Sequence, residues 1–155
     1  MNRAQDMQRG RPRHAGAGFT IVELCIAMVI LCMMATLAVP IFRKSIEQAR
    51  ADVASANLKI LWSAQRIYWL ENRCYASRLV DLRSMDLIDA AMADSPGNPH
   101  AVYVYAISSA NASGFTAGAV RNASGAWAGQ LQINQEGTIS GTIISRSGEV
   151  VNPTQ

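Results

Sequence analysis

Residues 19–42 read FTIVELCIAMVILCMMATLAVPIF, with Glu23 as the only charge. Positions 24–42 are 19 uncharged residues in succession. As an α-helix rising about 1.5 Å per residue they reach ~28 Å, which matches the ~30 Å hydrocarbon core of a bilayer. Four arginines, Arg3, Arg9, Arg11 and Arg13, come before this run, with Asp6 as the one acid among residues 1–18. Positive charge on that flank predicts a cytoplasmic N-terminus, with the remainder of the chain on the far side of the membrane.

Glu23 separates this run from ordinary targeting segments. A secretory signal has a shorter apolar region, no carboxylate within it and a small-residue cleavage site after it. Ala35-Thr36-Leu37-Ala38 suits such a site, so signal-type cleavage stays open as an alternative. A plain anchor explains the hydrophobicity but not the acid, because a carboxylate near the membrane costs ~2.5–3.5 kcal/mol on insertion scales. An intramembrane acid calls for a partner.

Gly18-Phe19-Thr20-Ile21-Val22-Glu23-Leu24, behind a short Arg-rich leader and ahead of the apolar run, resembles the N-terminus of type IV pilins and type II secretion pseudopilins. The resemblance implies that a prepilin peptidase cuts between Gly18 and Phe19 and methylates the new N-terminal Phe19. It implies three parts: a leader over 1–18, a transmembrane and assembly half of a long helix over 19–42, and a periplasmic globular domain over 43–155. Glu23 and Pro40 fall where that family has its acid and its proline. The glycine often found near the middle of the run is Cys32 here.

Chemistry supports the motif on its own terms. Gly18 lacks a Cβ and lets a protease approach the backbone. The cut gives Phe19 an amine with an ordinary pKa of roughly 7.7–8.0. In hydrocarbon such an amine and the Glu23 carboxylate form a discriminating pair, since one member left unpaired costs ~3–5 kcal/mol. Phe19 and Glu23 are thus the expected assembly residues, joining neighbouring subunits in one register. Pro40 removes a helical hydrogen bond and crowds the Thr36 carbonyl, so a kink is expected there, with Thr36 hydrogen-bonding within the helix.

Beyond the run the helical period continues. Ile46, Ala49, Val53, Ala56, Ile60, Ala64 and Ile67 recur every three or four residues and predict the core-facing stripe. Lys44, Glu47, Arg50, Asp52, Lys59 and Arg66 are assigned to the solvated face. One helix over about 20–72 is expected, roughly 80 Å long. Trp62, Tyr68 and Trp69 read as core near its end. A short helix or turn is expected around 78–92 and a loop over 95–99. The period then changes to two, predicting strands over 102–107, 115–120, 127–134 and 138–145. Asn111-Ala112-Ser113-Gly114 and Asn122-Ala123-Ser124-Gly125 repeat one turn tetrapeptide between them. The expected fold class is therefore α+β, a long N-terminal helix packed on a four-stranded antiparallel meander.

Composition narrows the function. The chain carries 14 basic and 11 acidic residues. With four arginines and one acid taken by residues 1–18, residues 19–155 hold ten of each. The basic excess belongs to the leader, and a neutral body argues against a nucleic-acid partner, for which Arg73, Arg78, Arg83 and Arg121 offer little support. No metal site is expected, since two histidines and three cysteines supply few ligands. The C-terminal acids Glu136 and Glu149 are too few for the calcium site of some pseudopilins. Cys25 and Cys32 share one helix face, about 10 Å apart along it, and read as packing residues. Cys74 is read as a buried free thiol, with an intermolecular disulfide as the alternative. An anchored enzyme using Cys74 and His100 is the competing class, but no nucleophile motif accompanies them.

The resemblance accordingly implies a non-catalytic structural subunit without cofactor, building a type IV pilus filament or, alternatively, a type II secretion pseudopilus. By resemblance its partners are other pilin subunits, the prepilin peptidase/methyltransferase, an assembly platform membrane protein and an ATPase motor. Its expected place is the inner membrane before assembly, then the periplasm or a cell-surface pilus.

Overall fold

The computed structural model describes residues 19–122 and 125–153, with side chains throughout except at 37–41. Two units divide between Val39 and Pro40. This boundary falls inside helix α1, Ile21–Asn72.

Within the N-terminal unit, Thr20 starts the helix. Its hydroxyl accepts the backbone N–H of Glu23 at 3.2 Å, and its carbonyl accepts that of Leu24 at 3.1 Å. Thr20-x-x-Glu23 is the sequence signature of a capping box, here with the threonine half formed. Around α1 the apolar side chains are exposed on every face: Ile21, Val22, Leu24, Ile26, Val29 and Leu31 are each more than half exposed. A helix apolar all round requires an apolar environment. Thr36 Oγ1 donates to the Met33 carbonyl at 2.8 Å, an intrahelical bond of the kind expected beside Pro40. Among the described residues, however, no helix is long and apolar enough to cross a membrane. The described side chains of the uncharged run are continuous from Leu24 to Thr36, thirteen residues or about 20 Å of helix, and resume at Phe42. The side chains of 37–41, Pro40 among them, lie outside the described set.

The body unit contains the remaining elements. After α1 come two short helices, α2 (Leu79–Ser84) and α3 (Ala90–Ala93), then a 3₁₀ turn at Ser95–Gly97. The sheet is a meander in the order β1 (Tyr103–Ala110), β2 (Phe115–Arg121), β3 (Trp127–Asn134), β4 (Ile139–Ser145) and β5 (Val150–Val151), every neighbour antiparallel. It has five strands where the sequence predicts four. The fifth has only two residues, too few to show a period of two. The turn before it is set by Ser145, whose N–H reaches the Glu149 carbonyl at 2.9 Å and whose hydroxyl accepts the Glu149 N–H at 3.0 Å. Gln48 of α1 donates to the Asn152 carbonyl at 2.8 Å and so holds this last strand.

The β1–β2 turn follows from Asn111, whose Oδ1 accepts the N–H groups of Ser113 and Gly114 at 2.8 and 2.9 Å. The first repeated tetrapeptide is thus turn chemistry, as expected. In the second, residues 123 and 124 lie outside the described set. At the β3–β4 turn Gly137 has φ +81°, and a Cβ there would come 3.1 Å from Trp62 Cε2. Trp62 in turn donates to the Gln135 carbonyl at 2.9 Å. Trp69 does the same to the Ala112 carbonyl at 3.0 Å. Two indoles therefore pin α1 to two sheet turns; both are half-buried rather than core as expected, with Trp62 and Tyr68 packed against the core.

The buried face of α1 differs from the predicted one. Ala51, Ala54, Leu58, Leu61 and Ala64 share the core with Tyr105, Ala117, Ala119, Leu131, Ile133 and Ile143. Of the seven residues predicted to face the core, only Ala64 is buried; Ile46, Ala49, Val53, Ala56, Ile60 and Ile67 are exposed. Glu47, placed on the solvated face by its charge, is 1% exposed. The actual core stripe was obscured by three polar residues, Glu47, Ser55 and Gln65, all of them buried. Gln65 is satisfied on both sides by one residue, donating to the Ala76 carbonyl and accepting the Ala76 N–H, both at 2.9 Å.

Glu47 is satisfied by Arg121, the last residue of β2. Arg121 Nε lies 2.6 Å from Oε1 and Nη2 3.3 Å from Oε2, while Arg50 reaches Oε2 at 3.3 Å. Arg121 Nη1 donates further to the carbonyls of Val102 and Asn122. Arg121 is buried, and its guanidinium lies 5.7 Å from the Tyr103 ring centroid.

Tyr103 Oη is buried without a hydrogen-bond partner among the described residues. Burial, and next the negative charge of Glu47, push its pKa up to about 12. Because the folded pKa lies above the ordinary value of 10, ionisation of this phenol leaves stability untouched below pH 10 and lowers it as pH rises from 10 towards 12. Tyr103→Phe is expected to remove this alkaline loss, about 1.4 kcal/mol of which has developed by pH 11. At neutral pH it should gain about 1 kcal/mol, because an orphaned buried hydroxyl disappears. Urea unfolding at pH 8 and pH 11 checks both changes.

Candidate functional site

The residues singled out by the motif are clustered at the start of α1. Gly18 and the leader lie outside the described residues. Phe19 immediately precedes the helix and is 83% exposed. Glu23 occupies the first turn, where its negative charge opposes the helix macrodipole favourably. Its backbone N–H is engaged by Thr20, but among the described residues its carboxylate makes no hydrogen bond or ion pair. The structure thus presents an exposed acid, an exposed phenylalanine four positions earlier, and an apolar helix behind them. Thr20, the capping residue, was not identified as a functional element from the sequence, although the Thr-x-x-Glu spacing was there to be read.

Alternative sites in the body do not assemble. Cys74 is free and half-buried. His100 is exposed, and no hydrogen bond joins the two among the described residues. The arginines considered for nucleic acid are engaged locally: Arg78 with Asp81 at 2.8 Å, Arg83 with Asp94 at 2.7 Å, Arg73 over the Trp69 ring at 5.4 Å, and Arg121 as above. Among the described residues no three His, Cys, Asp or Glu side chains come together. In the body an open groove of about 600 Å³ lies between α1 and the segment from α3 to β1, lined by Ile46, Val53, Ala91, Met92, Val102 and Tyr103.

The chain is 31% identical over 87 residues to type II secretion system core protein G of Pseudomonas aeruginosa, a match covering 56% of this chain and 57% of that protein. It is 34% identical over 70 residues to the type IV major pilin protein PilA of Myxococcus xanthus, covering 45% of this chain and 31% of the pilin. Its relatives are a pseudopilin and a pilin. The resemblance carried by residues 18–24 is therefore matched by similarity over about half the chain. The chain spans only 57% and 31% of these two relatives' lengths. No family model matches the chain. The α+β architecture, a long helix with an antiparallel sheet, fits the pilin fold.

Proposed function

We propose that this chain is the precursor of a filament subunit, a structural and non-catalytic pilin-like protein. It is cut between Gly18 and Phe19, methylated at Phe19, and polymerised through the apolar half of α1. What supports this best is a helix apolar on all faces, opened by Phe19 and by an acid whose carboxylate has no partner among the described residues. Such a helix is stable only in lipid or against copies of itself. A heterologous contact, one helix surface against a different surface of the next copy, builds an open filament.

On this reading the uncut chain sits in the inner membrane with its arginines in the cytoplasm, and the body lies in the periplasm. The partners are a prepilin peptidase and methyltransferase, a platform membrane protein and an ATPase that drives assembly. The product is a type IV pilus. The second reading, a pseudopilus of a type II secretion system, is favoured by the longer of the two matches, the one to core protein G.

Mass spectrometry of the subunit from cells with and without the peptidase tests the proposal. With the enzyme, the N-terminal peptide is expected to begin at a methylated Phe19. A product that keeps Arg3 and Arg9 in the presence of the enzyme sinks the filament reading.

A further inference from the structure

The groove between α1 and the segment from α3 to β1 has a shape and a chemistry that select an occupant. Its α1 wall runs from Ile46 to Asn57, eleven positions on, or about 16 Å of helix. A volume of about 600 Å³ drawn out over ~16 Å leaves a channel roughly 6 Å across, too narrow for a helix of ~10–12 Å diameter. An extended peptide would bring backbone N–H and C=O groups that need partners. The polar side chains along the groove are already engaged: Asn57 with the Tyr105 hydroxyl at 2.8 Å, Asp89 with the Ala91 N–H at 3.2 Å, Asn98 with the His100 N–H at 2.9 Å. Between them Val53, Met92 and Val102 make the walls aliphatic. An unbranched alkyl chain needs only that.

One corner of the groove is different. Glu47 carries one negative charge and is bound by two guanidiniums, Arg121 at 2.6 Å and Arg50 at 3.3 Å, so one positive charge is left over. Arg50 lines the groove, uses only Nη1 on Glu47, and is 47% exposed. Tyr103, in the field of all three charges, lines it too, and its hydroxyl is buried without a partner among the described residues. A pKa of about 12 keeps that hydroxyl a donor at neutral pH. A buried donor left without an acceptor calls for an explanation.

We propose that the groove binds a long-chain fatty acid, its alkyl chain along Val53, Met92 and Val102 and its carboxylate accepting from the Arg50 guanidinium and the Tyr103 hydroxyl. A guanidinium beside a hydroxyl donor suits a carboxylate, which only accepts. Mostly apolar clefts of roughly 300–1,000 Å³ with a few convergent polar groups are the usual form of small-ligand sites. Binding concerns the body alone and needs neither cleavage after Gly18 nor assembly through Glu23.

Photocrosslinking tests this with the full chain, in membranes of cells lacking the prepilin peptidase, where filament neighbours play no part. The probe is palmitic acid with a mid-chain diazirine, and adducts are placed by mass spectrometry of peptides. Adducts are expected at residues 46–57 and 91–105, displaced by excess palmitate but not by hexadecanol, which has the same chain and no carboxylate. Arg50→Gln and Tyr103→Phe are each expected to lower this labelling about tenfold, the equivalent of one hydrogen bond to a charged group. Neither variant should unfold the body, since Arg50 is half exposed and the Tyr103 hydroxyl has no partner to lose. Val53→Trp, which fills the channel, is expected to abolish labelling there while residues 24–36 stay labelled. A diazirine-bearing phosphatidylglycerol is expected to mark 24–36 alone. Absence of body adducts, or displacement by hexadecanol, overturns the proposal. Unchanged labelling in both Arg50→Gln and Tyr103→Phe overturns it as well, and groove labelling by the phosphatidylglycerol probe overturns the single-chain ligand.

Discussion

Glu23→Gln is expected to give a subunit that is cut at Phe19 but yields essentially no filament. Two roles compete for this acid, and glutamine separates them. As the fourth residue of Thr20-x-x-Glu23, it holds the acidic position of a capping box whose threonine half alone is formed, and glutamine serves that position as well as glutamate does. As the charge partner of a neighbouring Phe19 amine, glutamine removes the charge and strands an ammonium in an apolar core. An unpaired buried charge costs ~3–5 kcal/mol, which is roughly two to three and a half orders of magnitude in each association step. The companion variant is Thr20→Ala, which loses the cap and about 1 kcal/mol of helix stability but keeps the charge; it is expected to assemble. Filament yield after shearing, together with the mass of the mature N-terminus, reads both variants. Wild-type yield from Glu23→Gln with failure of Thr20→Ala would reassign the residue to capping.

The N-terminal motif was legible because its chemistry is local. Phe19, Glu23 and the apolar run state their environment within one stretch of chain, and Thr20 caps the helix using only the next three residues. Strands and turns of the body were legible for the same reason: Asn111 closes its turn onto Ser113 and Gly114, two and three positions away. The orientation of α1 on the sheet was not. Its body half carries two apolar stripes, and the cleaner one, with Ile46, Val53, Ile60 and Ile67, faces outward. The core stripe includes Glu47, Ser55 and Gln65, which are acceptable in a core only because of partners far away or across a turn. Glu47 finds Arg121 at a sequence separation of 74, and Gln65 finds the Ala76 backbone. Side-chain periodicity counts a buried glutamate as evidence of a solvated face, and no local pattern reveals its partner. The fifth strand failed differently: two residues cannot display alternation.

Glu47→Gln is expected to destabilise the body by about 3–5 kcal/mol, since it leaves Arg121 charged and buried with carbonyl oxygens as its main remaining acceptors. The Val102 and Asn122 carbonyls satisfy Nη1, but Nε at 2.6 Å and Nη2 at 3.3 Å now face a neutral amide that can accept through only one oxygen. For a domain of this size the loss corresponds to roughly 10–20 °C in Tm. Arg50→Ala gives the contrast. Arg50 contacts the same carboxylate at 3.3 Å, but its side chain is 47% exposed, so its removal should cost less than about 1 kcal/mol. A third variant separates the value of the ion pair from the cost of breaking it. Glu47→Leu combined with Arg121→Met replaces both charges with side chains of suitable bulk and is expected to recover most of the lost stability, because neither desolvated ion remains. Tryptophan fluorescence during urea unfolding follows all three, as Trp62 and Trp69 are fixed to the sheet turns that must separate from α1. If Glu47→Gln and Arg50→Ala cost the same small amount, Arg121 is reached by water and the pair is no lock between helix and sheet.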